Sequence, residues 1–200
     1  HSETILRFPI HYHMLDTDTP AVIFEDDDIE ISTIILNHRI PCTGFLFKEK
    51  PRLRKLQKEK LQKFKVPITA YQDLKNGMDF VDEYGKVHAN SELTTDPRSP
   101  RSYAFCSDTC YDERILPHIS EVDLLYHEAT FLSDKEERAK ETFHSTAAQA
   151  ATIAKKANVK RLIIGHFSAR YKNLYPLLDE AKEVFSDTTL AMEGDVFSIL

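Results

Sequence analysis

The sequence has no apolar run that approaches the roughly 20 residues a helix needs to cross a bilayer. Its cysteines number only three, Cys42, Cys106 and Cys110. An odd number forms no even disulfide framework, so we expect reduced thiols in a cytoplasmic protein. Internal repeats and low-complexity segments are also absent from the sequence. The 200 residues therefore predict one globular domain, or most of one, with a buried core.

The chain also lacks an overall positive charge, because its formal net charge is -6. The charge is unevenly distributed, however, since nine Lys or Arg and only two Glu lie between Lys48 and Lys65. A basic segment in an otherwise acidic chain is typical of phosphate contact, although a solvated helix face has the same composition. The candidate RNA-binding residues are Lys48, Lys50, Arg52, Arg54, Lys55, Lys58, Lys60, Lys63 and Lys65.

The first third of the chain alternates apolar and polar residues in the manner of β-strands. Strands are predicted over 21–25, 28–36 and 43–47. The basic segment carries a rough helical stripe formed by Leu53, Leu56, Leu61 and Phe64. A short helix is predicted over 68–75, and residues 94–101 are predicted to form a loop.

From residue 103 onwards the pattern changes to alternating strands and helices. Strands are predicted over 103–106, 122–126, 161–164, 189–192 and 196–200. Helices are predicted over 112–118, 134–141, 147–158 and 177–184, and the third begins with Ser145 or Thr146 as N-cap and Gln149 completing a capping box. Strands paired first as a meander and then interleaved with helices predict an α/β layered sheet.

Three polar residues follow predicted apolar strands: His38, Asp108 and His166. Strand ends are rigid and open into loops, which suits precisely positioned ligands. Imidazole and carboxylate groups bind zinc, and a carboxylate also bridges pairs of metal ions in phosphodiester hydrolysis. Hydrogen-bonded structural residues would give the same pattern, so the pattern alone leaves both interpretations open.

Five sequence blocks are more specific in combination. They are LNHRIPCTGFLF, YAFCSDT, LLYHEATF, HSTAAQAA and IIGHFSARY, spread in this order over residues 36–171. Together they resemble the ribonuclease Z branch of the metallo-β-lactamase superfamily. The resemblance implies an αββα sandwich with a dinuclear zinc site at its edge. It also implies homodimers and cleavage of precursor tRNA after the discriminator nucleotide.

The resemblance also implies roles for individual residues. His38 and His166 match the histidines that each bind one zinc ion, and Asp108 matches the aspartate that bridges both ions. The implied catalytic residues are Glu128 of the HEAT block, His144 of the HST block and Arg170 of the Ser-Ala-Arg segment.

The residue types suit this chemistry. Zinc lowers the pKa of water to about 7, which supplies a nucleophile at neutral pH. The departing 3′ oxygen of the tRNA needs a proton, and we expect His144 to donate it. A helix N-terminus after His144 would lower its pKa, and Glu128 would counter that effect. Arg170 would clamp a phosphate with its planar fork. The alternatives are a salt bridge for Glu128 and a surface ion pair for Arg170.

The basic segment lies where short-form members of this family carry a flexible arm that binds tRNA. We expect such an arm at about residues 48–80. In the family a Gly-Pro element often precedes a Tyr in this arm. Here Ile68-Thr69 stands at that place before Tyr71, so the geometry of the arm should differ.

The principal metal motif of the family, His-x-His-x-Asp-His, does not occur in the sequence. The segment from His11 to Asp16 imitates it, but its Asp comes one residue late and no His follows. We therefore expect the chain to be the C-terminal two-thirds of a protein of about 300 residues. With only part of the ligand set, it should bind zinc weakly, be inactive alone and expose a sheet face.

Two alternatives remain at this point. The chain could belong to another metallo-β-lactamase-fold hydrolase that acts on cyclic nucleotides, sulfate esters or lactams. It could also be a non-catalytic RNA-binding module that retains the fold and the basic arm. The HEAT and HST blocks together with the basic segment favour the tRNA nuclease.

Overall fold

The protein is described here by a computed structural model that covers residues 7–199. Its strands are β1 Val22–Glu25, β2 Ile29–Leu36, β3 Cys42–Glu49, β4 Lys55–Leu56, β5 Phe80–Val81, β6 Val87–His88, β7 Thr94–Thr95, β8 Ser102–Cys106, β9 Leu124–Glu128, β10 Leu162–Gly165 and β11 Thr188–Leu190. Its α-helices are α1 Lys58–Lys63, α2 Tyr71–Lys75, α3 Asn90–Leu93, α4 Leu116–Ile119, α5 Glu136–Thr142, α6 Ala147–Lys156 and α7 Tyr175–Val184. Short 3-10 helices lie at Ile68–Ala70, Glu113–Ile115 and Ser133–Lys135.

A seven-stranded mixed sheet dominates the fold, with the order β1-β2-β3-β8-β9-β10-β11. The first four strands pair antiparallel, and β8 to β11 pair parallel. The prediction of an α/β sheet built from a meander and then alternating elements is confirmed. The described residues contain this one large sheet and two two-stranded sheets. The αββα sandwich implied by the resemblance has two large sheets packed face to face.

One face of this sheet carries the main core. Leu125, Leu162 and Ile164 are fully buried there against the helical residues Ala150 and Leu177. The helices α6 and α7 also pack against each other. Short alanine side chains on α6 allow this close packing. The apolar stripe of each helix faces the sheet.

The opposite face of the sheet has aromatic pairs. Phe47 stacks on Tyr103 with ring centroids 5.8 Å apart, and Phe105 stacks on Tyr126 at 4.7 Å. All four side chains are only partly buried. The described residues therefore leave a half-covered aromatic surface on this face.

Local sequence signals place several boundaries. Asp26 forms the predicted turn after β1, because its carboxylate accepts the backbone N–H groups of Asp28 and Ile29 at 2.8 Å each. Thr146 is the N-cap of α6, and Gln149 completes the reciprocal capping box. These two predictions are confirmed.

Some predicted elements are wrong. Residues 196–199 form no strand, and the carbonyls of Ser198 and Ile199 instead accept hydrogen bonds from the guanidinium groups of Arg161 and Arg101; Leu200 lies outside the described residues. The segment predicted as a loop begins with β7, which pairs with β4. The prediction that Leu53 belongs to an apolar helical stripe is wrong, because its side chain is exposed.

The chain between β3 and β8 forms a small folded module of its own, residues 50–101. Its apolar cluster consists of the buried Leu61, Val66, Leu74 and Leu93. The buried side chain of Asn90 donates to the carbonyls of Leu74 and Met78. We call residues 50–101 the inserted module below.

Across residues 7–199, no helix combines the length and the apolar character that crossing a lipid bilayer requires.

Candidate metal centre and active site

The sheet brings the predicted site residues to one edge. Strands β2, β8, β9 and β10 run in the same direction, since β3 is antiparallel to both of its neighbours. The C-terminal ends of all four strands therefore meet at one edge. His38 follows β2, Asp108 follows β8, Glu128 ends β9 and His166 follows β10.

Asp108 and His166 face each other directly. Nε2 of His166 lies 3.1 Å from Oδ1 of Asp108. Both residues adopt left-handed backbone conformations, with φ of 46° and 58°. This conformation is unfavourable for residues other than glycine and costs of order 1–3 kcal/mol at each position. Four other non-glycine residues of the described chain also have positive φ, but only these two face each other across the site.

Thr130 determines which nitrogen of His166 carries the proton. The Thr130 hydroxyl donates its hydrogen to Oε2 of Glu128 over 2.6 Å, because a short bond to a carboxylate is the strongest one available to it. The hydroxyl oxygen then accepts from Nδ1 of His166, which lies at 2.9 Å. The neutral His166 ring consequently presents an unprotonated Nε2 to the carboxylate of Asp108. Two electron-rich atoms at this distance need a proton or a cation between them.

Glu128 is a fully buried carboxylate. It accepts the backbone N–H of Thr109 at 2.8 Å and that of Ser145 at 3.1 Å, besides the Thr130 hydroxyl. Burial raises the pKa of the Glu128 carboxyl. The bonds from His144, Thr130 and Ser145 outweigh burial and lower its pKa below the ordinary value. The carboxylate therefore stays ionised at neutral pH.

His144 is the hydrogen-bonded partner of that carboxylate. Its Nδ1 lies 2.7 Å from Oε1 of Glu128. This hydrogen bond raises the pKa of His144 above its ordinary value, against the opposing effect of partial burial. Nδ1 donates to Glu128, so Nε2 remains available to a substrate. The predicted contact between His144 and Glu128 is present in the structure.

The imidazole of His144 lies between the other two site histidines. Its ring centroid is 5.1 Å from that of His38 and 5.1 Å from that of His166, on which it stacks. Nδ1 of His38 lies 3.0 Å from the carbonyl oxygen of Phe143. A hydrogen bond from Nδ1 to this carbonyl orients Nε2 of His38 for a ligand.

The donor atoms fit a metal ion. Glu128, His144 and His166 offer atoms that lie within 4.8 Å of one another. Those three are not the set predicted from the sequence, which pairs His166 with Asp108 and His38. Both oxygens of Glu128 are already bonded to protein groups. Two imidazoles and a carboxylate are donors that zinc prefers.

Arg170 is exposed beside this site. Its Nε donates to the Ser168 hydroxyl at 3.2 Å, and its guanidinium lies 5.0 Å from the ring centroid of Phe131. The same ring meets His144 edge-on at 6.4 Å. Arg170 forms no ion pair with any carboxylate in residues 7–199, so its terminal nitrogens can contact a phosphate.

The predicted RNA-binding residues divide into two groups. Lys50 pairs with Glu25 at 2.7 Å, Arg52 lies 4.0 Å from Glu49, and Arg54 bonds the side chains of Thr94 and Asp96. Six others are exposed and form no ion pair within the described part of the chain: Lys48, Lys55, Lys58, Lys60, Lys63 and Lys65. The second group is the one that remains available for phosphate contact.

The residues that support the site escaped the sequence analysis. Thr130 and Thr109 donate hydrogen bonds to the Glu128 carboxylate. The only sequence signal for these bonds is the position of the two residues in the HEAT and CSDT blocks. His127 is fully buried, which lowers its pKa, and its Nδ1 lies 2.7 Å from the Glu128 carbonyl. Its Nε2 has no hydrogen-bond partner within residues 7–199.

The chain is similar to curated proteins named Ribonuclease Z. It is 46% identical over 194 residues to the one from Parabacteroides distasonis and 47% identical over 194 residues to one from Bacteroides fragilis, covering 97% of this chain in each case. It is 46% identical to that of Cytophaga hutchinsonii over 200 residues, all of this chain. The chain spans 64% of the length of each of these relatives. No protein-family model matches it.

Two solved structures have a similar fold. The metallo-beta-lactamase fold protein YhfI from Bacillus subtilis matches with a TM-score of 0.58 at 17% identity, over 92% of this chain and 54% of that one. Human tRNase Z, short form, matches with a TM-score of 0.54 at 27% identity, over 90% of this chain and 46% of that one. The sheet and its helices therefore have the metallo-β-lactamase fold.

Proposed function

We propose that this chain, which is 46–47% identical to curated proteins named Ribonuclease Z, provides part of the active site of a zinc-dependent endoribonuclease that removes the 3′ trailer from precursor tRNA. The observation that carries the proposal is the pair of Asp108 and His166 beside the pair of Glu128 and His144. Phosphodiester hydrolysis needs a charge-neutralising site and a proton donor side by side. These two pairs supply the side chains for both.

In this proposal His38, Asp108 and His166 would hold the zinc ions. When bound, the zinc ions supply an activated water and neutralise charge on the phosphate. Three side chains are too few to fill the coordination shells of two zinc ions. The chain alone should therefore bind zinc weakly and cleave slowly or not at all.

His144 donates the proton to the departing 3′ oxygen of the tRNA. Its raised pKa keeps a protonated fraction near neutral pH, and the hydrogen bond to Glu128 fixes the ring with Nε2 towards the substrate. Glu128 acts through His144 and is a positioning residue. Its buried, hydrogen-bonded carboxylate stabilises the imidazolium before the proton is transferred.

Arg170 contacts a phosphate oxygen of the substrate. The face of its guanidinium is held over Phe131, which leaves the edge with its N–H groups for bidentate bonds. The exposed lysines of the inserted module and of its junction with β3 contact phosphates of the tRNA body, which contributes affinity without sequence selection.

The partners and location follow from the family. We infer a homodimer in the whole protein and a cytoplasmic location, where three free cysteines remain reduced. Analytical ultracentrifugation of the whole protein tests the dimer.

The test of the proposed function compares two histidines in the whole, zinc-loaded protein. His144→Ala should reduce single-turnover cleavage of a precursor tRNA at least 100-fold, since general acid catalysis contributes about 10²–10⁴-fold. The exposed His118 on α4 provides the control, and His118→Ala should cleave like the wild type. Full zinc occupancy together with unchanged cleavage by His144→Ala would overturn the role of His144. Cleavage of cyclic nucleotides but not of precursor tRNA would favour another hydrolase.

A further inference from the structure

The inserted module is joined to the main sheet by two short limbs. The first limb, residues 50–54, follows β3, and the second, residues 96–101, precedes β8. Neither limb contains a helix or a strand. Among residues 7–199, the apolar cluster of the module and the main core have no residue in common. Two folded units joined in this way move relative to each other unless side chains at the junction hold them.

Glu49, the last residue of β3, makes such contacts at the junction. Its carboxylate accepts two hydrogen bonds from Arg98, whose Nη1 lies 2.6 Å from Oε2 and whose Nη2 lies 2.7 Å from Oε1. It also accepts the backbone N–H of Arg101 at 3.0 Å, its Nε at 3.1 Å and its Nη2 at 2.7 Å. Nη2 of Arg52, in the first limb, lies 4.0 Å from Oε1. One carboxylate therefore contacts guanidinium groups from both limbs.

This cluster differs from an isolated surface ion pair, which contributes little to stability. The side chain of Glu49 is only 18% exposed. Bidentate bonds fix the plane of each guanidinium group relative to the carboxylate, so two of them define a direction as well as a contact. Nη1 of Arg101 also donates to the carbonyl oxygen of Ile199 at 3.3 Å. The cluster therefore has the geometry to hold both limbs at one angle.

The cluster lies at the opposite edge of the sheet from the metal centre. Glu49 pairs with Ile29, the first residue of β2, whereas His38 follows the other end of that strand. Strand β2 has 8 residues, which at about 3.3 Å per residue span roughly 25 Å. A tRNA that contacts both the lysines of α1 and a metal centre must reach across such a distance. A change of angle at the junction moves one of these two places away from the other.

We propose that Glu49 is a positioning residue for precursor tRNA. By holding Arg98 and Arg101, it fixes the angle of the inserted module against the main sheet, so that one tRNA reaches the lysines of the module and a metal centre at the same time. The inference rests on the proposed function, because the module needs a fixed angle only if both places bind one substrate. Two linked binding places strengthen each other only when their geometry lets both be occupied together.

The first test removes the negative charge of Glu49 in the whole, zinc-loaded protein. Glu49→Gln should lower kcat/KM for precursor tRNA about tenfold, a part of the roughly 10²–10⁴-fold that linked binding contributes. If the module acted through its charge alone, loss of a carboxylate beside three arginines would strengthen tRNA binding instead. The matched control is Glu59→Gln, which removes the same charge from an exposed position on α1. Its kcat/KM should not fall below that of the wild type.

A second pair of variants keeps the charge and changes only the hydrogen-bonding geometry. Arg98→Lys loses the bidentate bonds and should lower kcat/KM for precursor tRNA about threefold, since Arg101 retains its own bonds to Glu49. Arg52→Lys, at a position with a single contact of 4.0 Å, should cleave like the wild type. Both arginines are exposed, so this pair decides the question if Glu49→Gln fails to fold.

Distances between labels on α1 and α5 test the junction without RNA. Spin labels are attached to a ketone-bearing amino acid placed at Lys60 and at Glu137, so that the native thiols do not react. The distance distribution should be broader in Glu49→Gln than with Glu49 present. An equal width, or an unchanged kcat/KM in both Glu49→Gln and Arg98→Lys, would overturn the inference.

The two readouts separate this inference from the proposed function. If the wild type cleaves precursor tRNA but Glu49→Gln has the wild-type distances and kcat/KM, only the inference about Glu49 fails. If the wild type does not cleave precursor tRNA, the proposed function fails and the positioning role fails with it, whereas the label distances still show whether Glu49 holds the module.

Discussion

Nδ1 of His144 lies 2.7 Å from Oε1 of Glu128, a carboxylate that is fully buried at the end of a central strand. Burial would raise the pKa of this carboxyl, but hydrogen bonds from His144, Thr130 and the backbone N–H of Ser145 keep it ionised. A buried anion of this kind stabilises the protonated form of the imidazole next to it. The pair therefore sets the proton affinity of the group that faces the substrate.

The first prediction concerns the pKa of His144 in the metal-free chain. Followed by NMR, His144 should titrate above its ordinary value of 6.5, because Glu128 stabilises the imidazolium. Glu128→Gln removes that charge and should lower the pKa of His144. While Glu128 is ionised, the stability contributed by protonated His144 is full below the unfolded-state pKa of His144 and is lost as pH rises through its folded-state pKa. Glu137→Gln, at an exposed position on α5, is the control, and the same drop in that variant would refute the account.

A second prediction concerns Thr130, whose hydroxyl links Glu128 to His166. Thr130→Val keeps the shape of the side chain but removes the acceptor for Nδ1 of His166, so the ring is no longer held as a ligand. The zinc affinity of the whole protein should fall about 10–100-fold, measured by competition with a chromophoric chelator. Thr152→Val, on α6 away from the site, should have no such effect. Equal zinc affinities for both variants would argue against a positioning role for Thr130.

A third prediction separates structural from RNA-contacting cations in the inserted module. Lys58→Ala should weaken tRNA binding and reduce the slope of log K against log salt by about 1. Arg54→Ala should instead destabilise the module, because its guanidinium bonds Thr94 and Asp96. Binding at several salt concentrations and urea unfolding give the two readouts. The prediction is wrong if Arg54→Ala changes the salt slope and leaves unfolding unaffected.

The fourth prediction tests whether the inserted module has a core of its own. Leu74→Ala truncates a fully buried side chain in the apolar cluster that also contains Leu61 and Leu93. The loss in unfolding free energy should be about 2–5 kcal/mol. Hydrogen exchange should show the loss of protection confined to residues 50–101. Protection lost across the main sheet as well would show that the module does not fold as a separate unit.

The sequence predicted the elements with strong local signals. Asp26 and the capping box at Thr146 mark a turn and a helix start through their own side chains, so short-range chemistry determines them. The strand predicted over 196–200 was inferred from alternating side chains, and the prediction is wrong for residues 196–199. The backbone there is held by Arg101 and Arg161, contacts that no local pattern encodes.

In the candidate site, too, local motifs could be predicted from the sequence and tertiary contacts could not. The blocks around His38, Asp108 and His166 are recognisable because each is a short motif at a strand end. Their common edge depends on the parallel direction of four strands, which only the assembled sheet provides. The support from Thr130 and the left-handed backbone at Asp108 are tertiary features. A single sequence without its fold gives no signal for either.

The most direct test of the account is a crystal structure of the whole, zinc-loaded protein with anomalous diffraction data at the zinc edge. The account predicts anomalous peaks about 2.0–2.2 Å from a carboxylate oxygen of Asp108 and from Nε2 of His166, with Nε2 of His38 bound to the second ion. Zinc bound elsewhere, with these three side chains free of metal, would contradict it.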